Sequence, residues 1–159
     1  MKIKVGIGYD IHKLVEGNEL CLGGIKIPFS KKLSGHSDGD CLIHAIIDAL
    51  LGAEGKSDIG RLFPDSDPQY KNISSRILLK KVAQRIRNHG YEVVNIDSIL
   101  IAEKPKMNPY FPEMKKALCS VLNTKAADLG LKAKSNEGLG EIGRGEAIAA
   151  WASAVLKRI

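Results

Sequence analysis

The sequence predicts a protein that contains both helices and strands. Residues 2–9 alternate between apolar and other side chains, which is typical of a half-buried strand. Residues 40–51 and 74–88 instead carry apolar side chains at helical spacing. The chain has 159 residues, of which 44% are hydrophobic. This size and this apolar content predict one domain spanning residues 1–159.

The first strand is expected to place alternate side chains on one face. Four apolar residues share that face: Ile3, Val5, Ile7 and Tyr9. If the strand continues, Asp10 and His12 also share a face. Residues 20–27 form a second β-like stretch, in which Gly23 and Gly24 predict a turn or bulge.

The first helix is expected over residues 40–51 and is expected to end at Gly52. Residues 56–71 are rich in Pro, Asp and Ser and predict a loop, which is long for a structureless connection and therefore a candidate functional segment. The helix over 74–88 is followed by Gly90 and is expected to bury Ile77, Leu78, Val82 and Ile86. The remaining predictions, in chain order, are a strand over 91–102, a helix over 109–122, a short turn within 124–129 and a strand over 131–135.

Residues 147–156 are ambiguous. Their alanines favour a helix by intrinsic propensity, and the segment is also apolar enough on both faces to be a buried strand. Periodicity does not decide between the two.

Composition argues against several classes of protein. The apolar runs are too short to span a bilayer, and the first six residues lack the apolar core of a signal peptide. Three unpatterned cysteines favour a reducing, cytoplasmic location. The net charge of +6 is spread along the chain and suits an anionic substrate as well as a nucleic acid. Aromatic residues, at 5%, do not interleave with the basic ones, which disfavours an RNA-binding module.

A strand bearing Asp10 and His12 and a helix bearing His44 form a candidate zinc site. Three protein ligands leave one coordination position for substrate. The alternative is a surface histidine on the strand and an ordinary helix histidine. Asp40 and Cys41 share the helical face of His44 and are competing ligands, although Cys41 is the type of residue that packs as a small apolar group.

Two more features surround that helix. Asp48 lies four residues after His44 and is either an orienting partner of its ring or a surface carboxylate. Residues 35–37 precede the helix N-terminus, where free N–H groups bind anions, so His36 is a candidate phosphate donor. A capping turn with a solvated histidine is the simpler interpretation.

Three other segments carry candidate binding groups. Asp58, Asp65 and Asp67 in the 56–71 loop suit hydroxyl or metal binding, although turn capping is the more common role of such residues. Residues 102–109 follow a strand and could contact a flat base and a phosphate, or could be an exposed charged segment.

Near the C-terminus, Glu137 follows Ser135 and is a candidate ligand of a hard divalent cation such as Mg²⁺. A lone glutamate is ordinarily solvated. Arg144 could clamp an anion or could pair with Glu146.

Taken together, these segments resemble the 2-C-methyl-D-erythritol 2,4-cyclodiphosphate synthase family of the non-mevalonate isoprenoid pathway. The resemblance rests on ordered blocks between residues 6 and 147: Gly6-Ile7-Gly8-Tyr9-Asp10-Ile11-His12, Gly35-His36-Ser37-Asp38-Gly39-Asp40, His44-Ala45, Asp48-Ala49-Leu50-Leu51-Gly52-Ala53, Asp58-Ile59-Gly60, Phe63-Pro64-Asp65-Ser66-Asp67-Pro68, Glu103-Lys104-Pro105-Lys106, Glu137-Gly138-Leu139-Gly140 and Gly143-Arg144-Gly145. Each block alone is weak, and the ordered set is specific.

The resemblance implies an α+β fold with a mixed β-sheet and with helices packed on one face. It implies a homotrimer with the sheets facing inward, active sites between subunits and residues 147–156 as a strand. It also implies Zn²⁺ on Asp10, His12 and His44, and Mg²⁺ or Mn²⁺ on Glu137. The implied reaction converts 4-diphosphocytidyl-2-C-methyl-D-erythritol 2-phosphate to the 2,4-cyclodiphosphate and CMP. Hydrolysis of a small phosphorylated substrate by a zinc-dependent phosphoesterase is the alternative.

The resemblance also assigns roles by position. His36 and Ser135 match positions that support the transition state. The implied substrate-binding residues are Asp10, His12, His36, Ser37, Asp58, Ile59, Gly60, Phe63, Pro64, Asp65, Ser66, Asp67, Ala102, Glu103, Lys104, Pro105, Lys106, Met107, Asn108, Lys134, Ser135, Asn136, Glu137, Glu141 and Arg144. Of these, 102–108 and, from the neighbouring subunit, 134–137 match a cytidine pocket.

Two departures from the family pattern are visible. Lys134, Ser135 and Asn136 stand where relatives usually have three threonines, so Ser135 keeps the hydroxyl and Lys134 adds a charge near the nucleotide. Glu141 stands where phenylalanine is common, in a region that, with Arg144, lines a central trimer cavity reported to take isoprenoid diphosphates. An acid there does not favour such a ligand.

Overall fold

The computed structural model describes residues 2–159 and shows a mixed five-stranded sheet. Its strands lie in the order β4 (Lys31–Leu33), β1 (Ile3–Glu16), β7 (Ala147–Arg158), β5 (Tyr91–Ile101) and β6 (Leu129–Lys134). Only β5 and β6 run parallel, and the other neighbours are antiparallel. A separate hairpin joins β2 (Glu19–Leu22) to β3 (Ile25–Pro28), which confirms the predicted turn at Gly23 and Gly24.

Three long helices share the main core with one face of this sheet. The helices are α1 (Cys41–Glu54), α2 (Ile59–Leu62), α3 (Ser75–Asn88), α4 (Phe111–Leu122) and α5 (Gly140–Gly143), of which α1, α3 and α4 are long. The short α5 packs Ile142 against Ala147, Ala149 and Ile101. Because Ala149 alternates with core residues of β7, α5 lies on the opposite face of the sheet. An α+β fold with a mixed sheet is therefore confirmed.

Two glycines let α1 lie directly on β1. A Cβ atom built on Gly6 would lie 2.0 Å from the carbonyl oxygen of Ala49, and one on Gly8 would lie 2.0 Å from that of Ala45. Only residues without a side chain permit this close approach of helix and strand. Asp10 and His12 follow on the same face of β1, so the strand directs them towards the N-terminal end of α1.

The opposite face of β1 is open. Ile7 is 70% exposed, and Ile3, Val5, Tyr9 and Ile11 also have large exposed fractions. On β7, Trp151 is exposed and stacks at 4.8 Å between ring centroids against Tyr9. The predicted shared face of the first strand is present, and in the single chain it forms an apolar surface rather than core.

Several predicted boundaries are wrong. α1 continues through Gly52 to Glu54 and ends at Gly55, whose left-handed backbone (φ +80°) caps it. The loop over 56–71 contains α2 and a 3₁₀ turn at Pro68–Tyr70, so it is not structureless. The helix expected to begin at residue 109 begins at Phe111, after a 3₁₀ turn at Asn108–Tyr110. By contrast, the short turn expected within 124–129 is confirmed as a 3₁₀ turn at Ala126–Asp128.

Other predictions are confirmed, and one burial assignment is not. α3 has the expected extent, but its Ile77 is 49% exposed, whereas Leu79 is buried. Residues 147–156 lie in strand β7, as the resemblance implied. The three cysteines are free thiols. Across residues 2–159, no helix combines the length and apolar content needed to cross a bilayer.

Candidate metal centre

Asp10, His12 and His44 converge at one point. Asp10 Oδ2 lies 2.8 Å from His12 Nε2 and 2.9 Å from His44 Nδ1, and the two ring nitrogens are 3.2 Å apart. One carboxylate oxygen and two imidazole nitrogens are a suitable donor set for a transition-metal ion such as zinc. The three residues that the sequence suggested from strand and helix spacing are therefore brought together by the fold.

The N-terminus of α1 positions His44. Asp40 is the N-cap of this helix, and its side chain accepts a hydrogen bond from the Ile43 backbone at 3.0 Å. The same buried carboxylate accepts from the backbone N–H groups of Gly23 and Gly24, at 3.0 and 2.7 Å. Asp40 therefore fixes the helix end to the β2–β3 turn and is fully used as a structural acceptor rather than as a metal ligand.

The other residues considered around His44 also have structural roles. Cys41 is fully buried in the core, and burial raises the pKa of its thiol well above the ordinary value, which favours apolar packing over metal binding. Asp48 accepts a hydrogen bond from the backbone N–H of Ile59 at 2.8 Å. It thereby attaches α2 to α1, and the His44 ring instead contacts Asp10, Ser37 and Ser75, so Asp48 is not its orienting partner.

The second nitrogen of each ring has its own partner. His12 Nδ1 lies 2.5 Å from the carbonyl oxygen of Ser34, which can only accept, so Nδ1 donates and Nε2 faces the centre with its lone pair when the ring is neutral. His44 Nε2 lies 2.9 Å from the Ser75 hydroxyl and 3.0 Å from that of Ser37. Such contacts to the outer nitrogen orient metal-binding imidazoles. The residues present thus fit a bound metal ion.

Electrostatic coupling within the triad is strong. Burial raises the pKa of Asp10, but hydrogen bonds from His12 and His44 and their positive charge outweigh it and lower the pKa to about 2. Burial lowers the pKa of His12, and the hydrogen bond and charge of Asp10 reverse this, so that the pKa of His12 is raised. Asp10 therefore stays ionised, as a metal ligand must.

A cavity of about 210 Å³ opens above the triad. Besides the three ligand candidates, its walls are formed by His36, Ser37, Ile59, Gly60, Phe63, Asp65, Tyr70 and Leu78. His36 Nδ1 lies 3.6 Å from Asp65 Oδ1 across the mouth. The loop over 56–71 is thus one wall of the cavity, in line with its predicted functional importance.

Several other residues of that loop do not line the cavity. Asp58 is the N-cap of α2 and accepts from the Arg61 backbone at 3.0 Å. Asp67 caps the following 3₁₀ turn and accepts from the Gln69 backbone at 3.1 Å. These are the turn roles that the residue types suggested. Pro64 and Ser66 also lie outside the lining of the cavity.

The segments 102–108 and 134–138 are hydrogen-bonded to each other on the same chain. The Ala102 backbone donates to the Lys134 carbonyl at 2.9 Å. Glu103 Oε1 accepts from the backbones of Asn136 and Gly138, at 2.8 and 3.3 Å. None of residues 102–108 or 134–138 lines the cavity above the triad. The residues that the resemblance assigned to substrate binding therefore fall into two groups on one chain, one at the cavity above the triad and one away from it.

Glu137 sits at the tip of this second region. Its backbone has a left-handed conformation (φ +52°), and Ser135 Oγ lies 3.1 Å from its carboxylate. Nearby, Arg144 Nε and Nη2 donate to the two carboxylate oxygens of Glu146, at 3.0 and 3.2 Å. Of the two roles considered for Arg144, the structure shows the ion pair. Glu141 lies in α5, beside that pair in sequence.

Sequence reasoning missed several residues around the triad. Ser75, Asp38 and the Ser34 carbonyl contact the histidines directly or through one hydrogen bond, and Tyr70 and Leu78 line the cavity. The sequence assigns Asp38 no role of its own, although it lies in one of the blocks that carry the resemblance. Nothing local marks Ser75, because its contact with His44 joins positions 31 residues apart.

The chain is similar to known proteins over almost its whole length. Residues 3–157 match the model of the YgbB family. The chain is 54% identical over 154 residues to the 2-C-methyl-D-erythritol 2,4-cyclodiphosphate synthase of Clostridium acetobutylicum, covering 97% of this chain and 99% of that protein. One similar solved structure is IspF of Plasmodium falciparum in complex with CDP, with 37% identity and a TM-score of 0.86 over 98% of this chain and 96% of that chain. Another is the bifunctional IspDF of Campylobacter jejuni, with 39% identity and a TM-score of 0.95 over 99% of this chain and 43% of that chain. The chain belongs to the YgbB family.

Proposed function

We propose that this protein is a 2-C-methyl-D-erythritol 2,4-cyclodiphosphate synthase. The observation that carries the proposal is the convergence of Asp10, His12 and His44 at the base of an open cavity, in a chain half identical over its length to a relative of that name. The substrate is 4-diphosphocytidyl-2-C-methyl-D-erythritol 2-phosphate. In the reaction an oxygen of its 2-phosphate attacks the β-phosphorus, the bond to the α-phosphate breaks, and CMP leaves.

The residues around the cavity suit a reaction that needs positioning more than a protein nucleophile. A tethered phosphate gains up to about 7–11 kcal/mol of barrier lowering when it is held in line. The cavity offers His36 and Ser37 as donors to phosphate oxygens, and Ile59, Gly60 and Phe63 as a wall for the methylerythritol. The net charge of +6 favours capture of a polyanion.

Two metal ions complete the proposal. Asp10, His12 and His44 would hold zinc, and Glu137 would hold Mg²⁺ or Mn²⁺. When bound, these ions supply positive charge that offsets the charge of the reacting phosphates. The Ser135 hydroxyl, beside Glu137, would hold a phosphate oxygen or orient the carboxylate.

We further propose a homotrimer with active sites between subunits. Its support is twofold: the open apolar face of β1 and β7, and the separation, on one chain, of the triad cavity from the pair of segments 102–108 and 134–138. A neighbouring copy can bring its own pair of segments to the cavity, and the P. falciparum relative was solved with CDP. In solution, the mass would be three times 17.3 kDa. A monomeric mass would reject this assembly. For the location of the enzyme, the free cysteines favour the reducing cytoplasm.

The decisive experiment incubates the protein with the cytidylyl substrate and identifies the products. Equal amounts of CMP and cyclic diphosphate are expected. Release of inorganic phosphate would instead indicate a phosphoesterase, and the absence of both products would reject an enzyme acting on this substrate.

Metal analysis of His44→Ala tests the ligand set. Zinc and activity are expected to be lost while the fold survives. His89→Ala is the matched control, because His89 lies against Glu54 and outside the cavity, and it should keep its zinc. Full zinc occupancy in His44→Ala would overturn the assignment.

A further inference from the structure

The outer nitrogen of His44 leads into a buried hydrogen-bonded chain. His44 Nε2 lies 2.9 Å from Ser75 Oγ, and Ser75 Oγ lies 2.5 Å from Asp38 Oδ1. Ser75 has no exposed surface, and His44 is 8% exposed. Asp38 also accepts from the Ser75 backbone at 2.9 Å, so it holds this serine at two points.

The direction of each hydrogen bond follows from the chemistry of the groups. A carboxylate only accepts, so the Ser75 hydroxyl proton points to Asp38. The Ser75 oxygen then presents a lone pair to His44 Nε2, which must carry the proton. In the metal-free protein Asp10 Oδ2 accepts from the Nδ1 side at 2.9 Å. A metal ion bound by the triad would take the place of that proton, so Nδ1 would direct its lone pair at the metal position, beside Asp10 and His12 at 2.9 and 3.2 Å, while Nε2 keeps its proton.

We propose that Asp38 and Ser75 are positioning residues that hold His44 in its Nε2–H form, with the Nδ1 lone pair aimed at the metal position. This inference rests on the proposed function, in which the triad binds a metal. The carboxylate polarises the hydroxyl, and the hydroxyl makes the imidazole a stronger donor at Nδ1. Neither residue touches the metal position itself.

Asp38 and Ser75 also connect these hydrogen bonds to the N-terminal ends of α1 and α3. The Asp40 backbone donates to Asp38 at 3.2 Å, next to the N-cap of α1. Ser75 is the first residue of α3, and the N-cap residue Ser74 makes no side-chain capping bond, so Asp38 supplies the acceptor that this helix start lacks. Hydrogen bonds therefore attach the His44 ring to the starts of both α1 and α3, which limits its rotation.

Ser37 provides an internal comparison. Its hydroxyl lies 3.0 Å from the same His44 nitrogen. Among residues 2–159, the Ser37 hydroxyl hydrogen-bonds to His44 and to no carboxylate, so no carboxylate fixes the direction of the hydroxyl proton. Ser37 can accept from or donate to this ring nitrogen, whereas Ser75 can only accept.

The first test measures zinc affinity by competition with a chromogenic chelator. Ser75→Ala is expected to bind zinc about 10- to 100-fold more weakly than the wild type, the usual loss for such an outer partner. Ser74→Ala alters the same helix start without touching His44 and should stay within about twofold of wild type. Asp38→Asn, which replaces one accepting oxygen by a donor, should weaken binding in the same direction.

The second test needs no metal. In metal-free protein with ¹⁵N-labelled histidine, the wild type should show a proton on His44 Nε2, held by Ser75. Ser75→Ala should lose part of this Nε2–H signal, because the carboxylate that still contacts the ring, Asp10, faces Nδ1. If Ser75→Ala fails to fold, Asp38→Asn gives the same comparison.

The outcomes separate this inference from the proposed function. Wild-type zinc affinity and an unchanged Nε2–H signal in Ser75→Ala would overturn the inference while leaving cyclase activity intact. A wild-type protein that binds zinc, shows the expected losses in the variants and yet forms no cyclic product would overturn the proposed reaction and leave the role of Ser75 standing.

Discussion

Gly8→Ala tests the contact that brings the two halves of the metal centre together. A Cβ atom at this position would lie 2.0 Å from the Ala45 carbonyl oxygen and 2.7 Å from the Ala49 nitrogen, both backbone atoms of α1. Ordinary contact begins near 3.4 Å. The helix would therefore have to move from 2.0 to 3.4 Å, a shift of about 1.4 Å.

That displacement has two measurable costs. Overpacking of this kind destabilises a fold by about 1–3 kcal/mol, and because the clash is with backbone we expect the upper end of this range. His44 moves with α1, while Asp10 moves with β1. Metal sites tolerate errors of roughly 0.2 Å in ligand distance. Zinc affinity should therefore fall by at least about tenfold, the lower end of the loss seen when the orientation of a metal ligand is disturbed.

Gly52→Ala is the matched control, since it adds the same methyl group to the same helix–strand contact, from the α1 side instead of the β1 side. Its Cβ atom would lie 3.6 Å from the Ile7 carbonyl oxygen, an ordinary contact. Alanine favours a helix interior over glycine by about 1 kcal/mol, so this variant should be slightly more stable than the wild type. Both variants are compared by urea unfolding at one protein concentration, followed by zinc titration. Wild-type stability and zinc affinity in Gly8→Ala would refute the idea that helix–strand distance sets the site.

Three further predictions concern buried or bracing carboxylates. Burial raises the pKa of Glu54, but hydrogen bonds and charge from His89 and Arg85 outweigh this and lower the pKa below its ordinary 4.5. The ionised Glu54 therefore stabilises the fold above about pH 4.5, and this contribution is lost as pH falls through the pKa of the folded state. Glu54→Gln should cost about 1–2 kcal/mol at pH 7, with the difference from wild type shrinking below pH 4.5 in urea unfolding; a difference independent of pH would contradict this. Asp40→Ala leaves three N–H groups, two of them buried, without their acceptor and should cost about 3 kcal/mol. Because burial raises the pKa of Asp40, the neutral Asp40→Asn should cost less, and equal losses would count against the mechanism. Glu103→Ala should weaken the Mg²⁺ dependence of CMP release, because Glu103 accepts hydrogen bonds from the loop that carries the proposed metal ligand. Glu103→Gln keeps the accepting oxygen and should show the Mg²⁺ titration curve of the wild type. Identical Mg²⁺ titration curves for the two variants would contradict this role.

Local patterns were sufficient for the elements that carry the metal centre. Period-two alternation predicted the start of β1 and the shared face of Asp10 and His12, and helical spacing with Asp40 at the entry predicted α1. Element ends were less predictable. Gly52 was taken for a helix end because glycine commonly follows one, whereas it lies inside α1 and the left-handed Gly55 ends the helix.

Other features depend on contacts that no local pattern encodes. β7 is rich in alanine because α1 lies close against this sheet, so its composition resembles that of a helix, and only the family resemblance identified it as a strand. Ser75 and Asp38 reach His44 across the fold, and their residue types are typical of any helix start. The cytidine segments were likewise suggested by resemblance, since residues 102–108 look like an exposed charged run.

The alternation of β1 links the register of the sheet to the metal centre. Even positions place Gly8 under α1 and direct Asp10 and His12 towards His44, while odd positions place Ile7 and Tyr9 on the open face. A slip of one residue would exchange the two faces. It would put Ile7 or Tyr9 where a single methyl group already meets the helix backbone, and it would turn both β1 ligands away from α1. The close helix–strand contact that the glycines permit therefore also excludes both one-residue slips of β1, in which the metal ligands would be lost.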